Sequence, residues 1–183
     1  MIRDIKDDVK KVLYSEEQLA KRVKEIAEEI SKDYAGKDLL VVGILKGSVL
    51  FTSDLIKNIT IPCEIDFMAV SSYGNSAQTS GVVRILKDLD SDIENKHVLI
   101  VEDIVDTGTT LSYLLEYLKA RKAASIEIVA LLDKEALKTS NISAKYKGFD
   151  VPDEFIVGYG IDYAEKYRNL PFIGALKEEI YNK

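Results

Sequence analysis

Two adjacent carboxylates, Glu102 and Asp103, follow directly on an apolar run that ends at Val101. After two further apolar residues comes the polar turn 106–110, with the sequence Asp-Thr-Gly-Thr-Thr, and a pattern of leucines at helical spacing begins at Leu111. Backbone N–H groups at the start of a helix lack intrahelical acceptors, and together with threonine hydroxyls they bind phosphate. No Gly-Lys-Ser/Thr follows the glycine, which excludes a Walker A loop. The segment predicts a cup for a single phosphate.

The two acids require a partner that is not itself an anion. Ribose hydroxyls can donate hydrogen bonds to carboxylates, and Mg²⁺ takes oxygen ligands. The ligand inferred from this segment is therefore a ribose phosphate that carries a metal-bound anionic group. The alternative is an ordinary strand–helix turn with two solvated acids, and the combination of two acids with a Thr-Gly-Thr-Thr cup disfavours it.

Uninterrupted apolar runs predict the strands that position this segment. They cover 39–45, 98–101 and 126–132, and their continuous hydrophobicity is typical of strands buried on both faces of a parallel sheet. A helix is predicted between the last two runs, since leucines recur there from 111 to 118. Strand, helix and strand in this order indicate an open parallel sheet with helices on both faces.

Three further elements are predicted around this sheet. Ser15 and Gln18 form a capping box that starts a helix with apolar residues at helical spacing to Ile30. Residues 63–70 alternate between apolar and polar, which predicts a strand with one wetter face, paired with 82–86. The polar segment 71–80 between them is the best candidate for a mobile loop.

Composition limits the domain count and the class of function. The chain has 183 residues and no linker-like or repeated segment, so a single domain over 1–183 is predicted. A net charge of −6 argues against a surface that binds nucleic acid or an anionic membrane. One cysteine and one histidine, Cys63 and His97, exclude an intramolecular disulfide and a Cys/His zinc site, and His97 is a poor candidate catalyst. The longest apolar run is far shorter than the roughly 20 residues of a membrane span, so a cytoplasmic protein is expected.

The acidic strand end and its turn resemble the phosphoribosyl-pyrophosphate motif of type I phosphoribosyltransferases. The chain as a whole is similar to the hypoxanthine-guanine phosphoribosyltransferase family over nearly its full length. The other matching segments, in order, are Leu45-Lys46-Gly47-Ser48, Ser72-Tyr73-Gly74, Leu131-Leu132-Asp133-Lys134, the segment from Phe155 to Tyr163, and Arg168-Asn169-Leu170-Pro171. The resemblance implies the type I fold, an open parallel β-sheet flanked by helices, with a small hood formed by the chain termini.

The resemblance also implies an activity and assigns residues to it. The expected reaction transfers the phosphoribosyl group of 5-phosphoribosyl 1-pyrophosphate (PRPP) to hypoxanthine or guanine, giving IMP or GMP and pyrophosphate. Asp106 is the expected catalytic base for the purine N7 proton, Lys134 the donor to the purine 6-oxygen, and Phe155 the stacking ring. The other expected substrate contacts are Lys46, Gly47, Ser72, Tyr73, Glu102, Asp103, Thr107, Gly108, Thr109, Thr110, Ile156, Asp162 and Arg168. The expected Mg²⁺ ligands are Glu102, Asp103 and Asp162.

Three structural consequences follow from the same resemblance. It implies a cis peptide bond between Leu45 and Lys46, at the start of the turn whose amides face the pyrophosphate. It implies that the loop around Ser72 and Tyr73 closes over the site as a lid that excludes water. It also implies a homodimer or homotetramer.

Two other classes of function stay open at this stage. One is a related enzyme that acts on xanthine or a pyrimidine, although Lys134 and Phe155 disfavour the pyrimidine. The other is a non-catalytic regulator that senses PRPP and binds nucleic acid, which would need an added domain or a basic face. The chain length and the net charge give little support to that regulator. The ranking of hypoxanthine, guanine and xanthine is not predicted.

Overall fold

The computed structural model describes residues 4–72, 83–134 and 142–182. Its strands within those residues are β1 (Val9–Tyr14), β2 (Leu39–Leu45), β3 (Glu64–Ser72), β4 (Val83–Lys87), β5 (His97–Val105), β6 (Ser125–Asp133), β7 (Tyr146–Asp150), β8 (Ile156–Val157) and β9 (Ile173–Leu176). Its α-helices there are α1 (Glu16–Asp33), α2 (Val49–Asn58), α3 (Thr109–Lys119) and α4 (Glu178–Tyr181), and a 3-10 helix covers Ile5–Asp8. None of these helices is long and apolar enough to cross a membrane.

The larger sheet has the strand order β4-β3-β2-β5-β6-β7. All neighbours in it are parallel except β4, which runs antiparallel to β3. The carboxyl ends of β2, β5 and β6 therefore meet at one edge, which is where open α/β sheets bind ligands. The predicted open parallel sheet is confirmed.

Apolar clusters cover both faces of this sheet, as the continuous hydrophobic strands require. Helices α1 and α2 pack on one face through buried residues such as Val23 and Phe51, and α3 packs on the other through Leu114 and Leu118. The predicted capping box of α1 is present, because Ser15 and Gln18 each accept a backbone N–H of the other.

Two strand boundaries differ from the sequence-based expectation. Strand β5 does not end before the acid pair but continues to Val105, because Glu102 and Ile104 still pair with β6 opposite Ala130 and Leu132. The predicted mobile loop 71–80 begins too early, since Ser71 and Ser72 are the last residues of β3, where they pair with β4. Residues 73–80 of that loop lie outside the described part of the chain.

A second, three-stranded sheet forms the hood. Its order is β1-β9-β8 with antiparallel pairing, so it joins a segment near the amino terminus to two near the carboxyl terminus. The hood approaches the main sheet closely at Gly160, which has a φ of +102°, and a Cβ there would lie 2.0 Å from the carbonyl oxygen of Gly47. The predicted hood is confirmed, and it faces the loop that follows β2.

Candidate active site

A cavity of about 420 Å³ lies at the carboxyl ends of β2 and β5, beneath the hood. Nine residues predicted from the sequence line it: Lys46, Gly47, Glu102, Asp103, Asp106, Gly108, Thr110, Asp162 and Arg168. These residues come from segments up to 122 positions apart, between Lys46 and Arg168. The parallel order of β2 and β5 brings the first seven together, and the hood adds Asp162 and Arg168, which lie between β8 and β9. The remaining wall is apolar, formed by Ile44, Leu45, Val70, Ile104, Val105 and Leu111.

The acid pair forms the floor of the cavity. Glu102 is only 8% exposed, and burial, together with the neighbouring charges of Asp103 and Asp106, raises its pKa well above the usual value. Burial also raises the pKa of Asp103 to about 6, against the opposing effect of the Ile104 N–H, which donates to its Oδ1 at 2.7 Å. The raised pKa values mean that the ionised carboxylates of Glu102 and Asp103 are destabilised in the cavity. A bound cation or hydroxyl donors would stabilise them.

Glycine at position 47 allows the loop after β2 to lie directly against this pair. A Cβ there would lie 1.7 Å from Oδ2 of Asp103, so any other residue would displace the loop or the acid. The preceding bond, between Leu45 and Lys46, is a cis peptide, as the resemblance implied. The backbone of this turn thereby forms one wall of the cavity.

The turn that the sequence predicts as a phosphate cup lies at the start of α3. Gly108 is the N-cap residue, with a φ of +76° in the left-handed region, which a side chain would strain. Thr107 donates its N–H to Oδ1 of Asp106 at 2.6 Å, and the hydroxyls of Thr107 and Thr109 lie 3.3 Å apart. Thr110 lines the cavity, whereas Thr107 and Thr109 are exposed at its mouth.

The cationic side of the cavity is formed by Lys46 and Arg168. Arg168 donates to the carbonyl oxygen of Gly160 at 2.8 Å and pairs with Oδ1 of Asp162 at 2.8 Å. Its Nε is buried and has no hydrogen-bond partner among the described residues. The other carboxyl oxygen of Asp162 accepts the N–H of Glu165. Asp162 thus reaches the cavity as the partner of Arg168, and its predicted role as a metal ligand stays a prediction.

Glu165 is a residue of the site that the sequence did not reveal. Its carboxylate contacts both cations, at 2.9 Å from Nζ of Lys46 and 3.5 Å from Nη2 of Arg168. Glu165 and Ala164 both have positive φ values, 63° and 50°, in a two-residue hairpin turn between Tyr163 and Lys166. Such turns usually carry Asn-Gly, so Ala-Glu gives no sequence signal for the turn or for the carboxylate that it presents.

Lys134 and Phe155 line a second cavity of about 410 Å³, together with Lys10, Asp153, Glu154, Leu176, Glu178 and Tyr181. This cavity adjoins the first, because the Lys134 N–H donates to the carbonyl oxygen of Val105, which belongs to the first cavity wall. The Lys134 side chain is 15% exposed, and its Nζ donates to the carbonyl oxygen of Glu154 at 3.1 Å. Two of its three N–H donors remain for a ligand or for the carboxylate of Asp153, 3.6 Å away.

The remaining predicted residues are placed as follows. Phe155 precedes the two-residue strand β8 and is 41% exposed, so part of its ring is available to a base. The Ile156 side chain is buried in the hood, so only its backbone is available to a base. Ser72 ends β3, and Tyr73 lies outside the described residues. His97 begins β5 at the opposite end from the cavity, with Nδ1 2.8 Å from Oγ of Ser125.

No group of three or more His, Cys, Asp or Glu side chains within residues 4–72, 83–134 and 142–182 is arranged to hold a metal ion by itself. The three predicted ligands Glu102, Asp103 and Asp162 therefore do not form a metal site by themselves, and the Mg²⁺ site stays a prediction. Mg²⁺ is commonly held by one or two carboxylates, with water and substrate phosphate oxygens completing its ligands. Glu102 and Asp103 are suited to that role.

The fold and the cavity define the chain as a phosphoribosyltransferase, and the family model described as phosphoribosyl transferase domain matches residues 10–164. The chain is 54% identical over 177 residues to hypoxanthine-guanine phosphoribosyltransferase of Bacillus subtilis (strain 168), covering 97% of this chain and 98% of the relative. It is 52% identical over 179 residues to the enzyme of the same name from Streptococcus thermophilus (strain CNRZ 1066), covering 98% and 99%. A crystal structure of hypoxanthine phosphoribosyltransferase from Staphylococcus aureus superposes with a TM-score of 0.96 at 54% identity, covering 100% of both chains. The chain therefore belongs to the hypoxanthine-guanine phosphoribosyltransferase family.

Membership of this family confirms the predicted fold class, enzyme class and function. Enzymes of the family transfer the phosphoribosyl group of PRPP to a purine base. The regulator considered above is not supported, since the relatives that match 97% and 98% of this chain are named as enzymes.

The raised pKa of Asp103 predicts that its ionised carboxylate destabilises the ligand-free protein. We expect Asp103→Asn to raise the free energy of unfolding of the ligand-free protein by roughly 1–3 kcal/mol above pH 6, because two pKa units correspond to at most roughly 3 kcal/mol. The folded state holds the Asp103 proton more tightly than the unfolded state, so wild-type stability falls as pH rises from about 4 to about 6. Equilibrium unfolding of the wild type and of Asp103→Asn at about pH 4 and about pH 8 measures the difference between their free energies of unfolding. An equal difference at both pH values, or a less stable variant at pH 8, would contradict the assignment.

Proposed function

We propose that this protein transfers the 5-phosphoribosyl group from PRPP to hypoxanthine or guanine, releasing pyrophosphate. The observation that carries the proposal is the meeting of three polar subsites in one cavity: the acid pair, the phosphate cup and the two cations. These match the hydroxyls, the 5-phosphate and the pyrophosphate of PRPP. The purine subsite adjoins them through Lys134 and Val105.

The 5-phosphate is assigned to the turn before α3. Backbone N–H groups at this helix start point outward, and the macrodipole of the helix favours an anion there. Gly108 permits the turn, and the hydroxyls of Thr107, Thr109 and Thr110 supply further donors. Binding the phosphate here fixes the sugar above the acid pair.

Glu102 and Asp103 are assigned to the ribose hydroxyls and to Mg²⁺. Two buried carboxylates with raised pKa values gain most from a ligand that brings positive charge or hydroxyl donors. When bound, Mg²⁺ supplies positive charge that stabilises the pyrophosphate as its negative charge develops. Asp162 is proposed as a further contact to this ion or to the base, alongside its pairing with Arg168.

Lys46, Gly47 and Arg168 are assigned to the pyrophosphate. Lys46 offers an ammonium, Gly47 a backbone amide, and Arg168 a planar fork with a buried Nε that has no partner among the described residues. These donors are in place before the reaction and stabilise charge that grows as the bond to the sugar breaks. The Glu165 carboxylate contacts both side chains, so it competes with pyrophosphate for their donors.

The purine is assigned to Phe155, Lys134 and the backbone of Ile156. The exposed Phe155 ring offers a stacking surface, and the Lys134 ammonium offers donors for a 6-oxo group. Asp106 lines the first cavity and is exposed, so its carboxylate is available to accept the N7 proton as N9 attacks the sugar. The loop around Ser72 and Tyr73 is proposed to close over the site as a lid.

A cytoplasmic location and a homodimer or homotetramer complete the proposal. The candidate contacts for self-association are the exposed apolar side chains outside the cavity on α2, β3 and β4: Val49, Leu50, Ile65 and Leu86. Light scattering of the purified protein distinguishes a monomer, which would contradict this expectation, from either oligomer.

Removing divalent ions tests the assignment of the acid pair. We expect excess chelator to reduce turnover by more than about 100-fold and added Mg²⁺ to restore it, because the acid pair and the pyrophosphate would otherwise repel each other. The loss should be accompanied by weaker PRPP binding in equilibrium dialysis. Full turnover in excess chelator would contradict the proposal.

A further inference from the structure

The ring of Phe155 is stacked against a second aromatic side chain, Tyr181 of α4. Their centroids are 4.7 Å apart with an interplanar angle of 26°. The ring of Tyr163 lies nearly perpendicular to that of Phe155, at 5.1 Å and 85°. Neither contact covers the ring completely, since Phe155 is still 41% exposed.

The backbone holds Tyr181 at a fixed place relative to Phe155. The N–H of Leu176, in the strand before α4, donates to the carbonyl oxygen of Phe155 itself at 2.8 Å. The next residue, Lys177, donates its N–H to the carbonyl oxygen of Asp8 at 3.0 Å. Ile180 packs on the apolar cluster of the hood, which includes Val157 of β8. The chain that leads into α4 is therefore attached to the segment that carries Phe155 on one side and to Asp8, beside β1, on the other.

Tyr181 also lines the cavity that contains Lys134 and Phe155. We propose that Tyr181 is a positioning residue for the purine, which fixes the plane of the Phe155 ring on which the base stacks. This inference rests on the proposed function, because it takes Phe155 as the residue that stacks on the base. Tyr181 itself is not assigned to the reacting atoms.

Tyr181 would act by holding the exposed Phe155 ring in place before the base binds. Phe155 precedes a strand of only two residues, so its own element restrains the ring little. A base that stacks on an unrestrained ring must also pay for ordering that ring, and a partner on one side removes this cost before binding. A centroid distance of 4.7 Å is direct stacking contact, so the base does not enter between the two rings but covers the part of Phe155 that Tyr181 leaves exposed.

The test compares Tyr181→Ala, Tyr181→Phe and a control. We expect Tyr181→Ala to raise KM for hypoxanthine about 3–10-fold, because the loss of one aromatic pair corresponds to a change of this size in affinity. The values of kcat and of KM for PRPP should change less than about two-fold. Tyr181→Phe should restore the wild-type KM because stacking needs the ring. The control is Tyr113→Ala, which removes another partly exposed tyrosine stacked on a neighbour, Tyr117 of α3, and should leave KM for hypoxanthine unchanged.

Phe155→Ala separates failure of this inference from failure of the proposed function. An unchanged KM for hypoxanthine in Phe155→Ala would overturn the assignment of Phe155 to the base, and the inference with it. A raised KM in Phe155→Ala but an unchanged or lowered one in Tyr181→Ala would overturn the inference alone, even if Tyr181→Ala lowers the melting temperature. In a Phe155→Ala background, Tyr181→Ala should have no further effect on KM for hypoxanthine. An additive effect there would contradict positioning through Phe155.

Discussion

Asp106→Asn is expected to lower kcat by about 10²–10⁴, because an amide cannot accept the proton that leaves purine N7. KM for both substrates should change little, since Asn retains the shape of the side chain. Its Oδ1 can still accept the Thr107 N–H, as the Asp106 Oδ1 does at 2.6 Å, so the turn before α3 should keep its conformation. Steady-state kinetics with hypoxanthine and PRPP measure both parameters.

Asp92→Asn is the matched control for this variant. The Oδ1 of Asp92 accepts the N–H of the next residue, Ile93, at 2.7 Å, so the substitution makes the same local change outside the cavity. Its kcat should equal that of the wild type. A kcat for Asp106→Asn that is unchanged across the neutral pH range would show that another group or water accepts the proton.

Lys134→Met is expected to lower kcat/KM for hypoxanthine and guanine by roughly 10²-fold. A 6-oxo group accepts hydrogen bonds from the ammonium, whereas the 6-amino group of adenine opposes it as a second donor. Methionine has a similar length but no donor, and a lost charged hydrogen bond in a largely buried place costs on this scale. Phe155 is unchanged in the variant, so stacking should preserve part of the affinity.

The same substitution should change the preference between purines. Adenine should remain a poor substrate but be relatively less disfavoured, because Lys134→Met removes the clash of donors. Lys119→Met, which removes an exposed ammonium paired with Glu116 on α3, is the control and should leave the preference unchanged. Intact 6-oxopurine kinetics in Lys134→Met would contradict the role of this lysine.

The main sheet and the cup could be predicted from sequence because each depends on a local pattern. Continuous apolar runs identified β2, β5 and β6, and the Asp-Thr-Gly-Thr-Thr turn identified the start of α3. The end of β5 was predicted four residues too early, because buried acids interrupt an apolar run while the backbone keeps pairing with β6. Polarity of a side chain therefore marks the binding site here but not the end of the strand.

The contacts that Glu165 and Tyr181 make at the site could not be predicted, because they join distant segments without a local signal. Glu165 reaches Lys46 across 119 positions from a turn whose residues do not favour the turn. Tyr181 reaches Phe155 because β8 and β9 pair in the hood, and that pairing involves only two residue pairs. Short strands of this kind leave almost no periodicity in the sequence.

The most direct measurement is a panel of bases incubated with the protein, PRPP and Mg²⁺, with the nucleotide and pyrophosphate products quantified. We expect IMP from hypoxanthine or GMP from guanine, each with one pyrophosphate per nucleotide, and at least about 10–100-fold lower kcat/KM for adenine. Xanthine and uracil belong in the same panel, because they test the two related activities that the sequence left open. No nucleotide from either hypoxanthine or guanine, or a preference for adenine or uracil, would contradict the account.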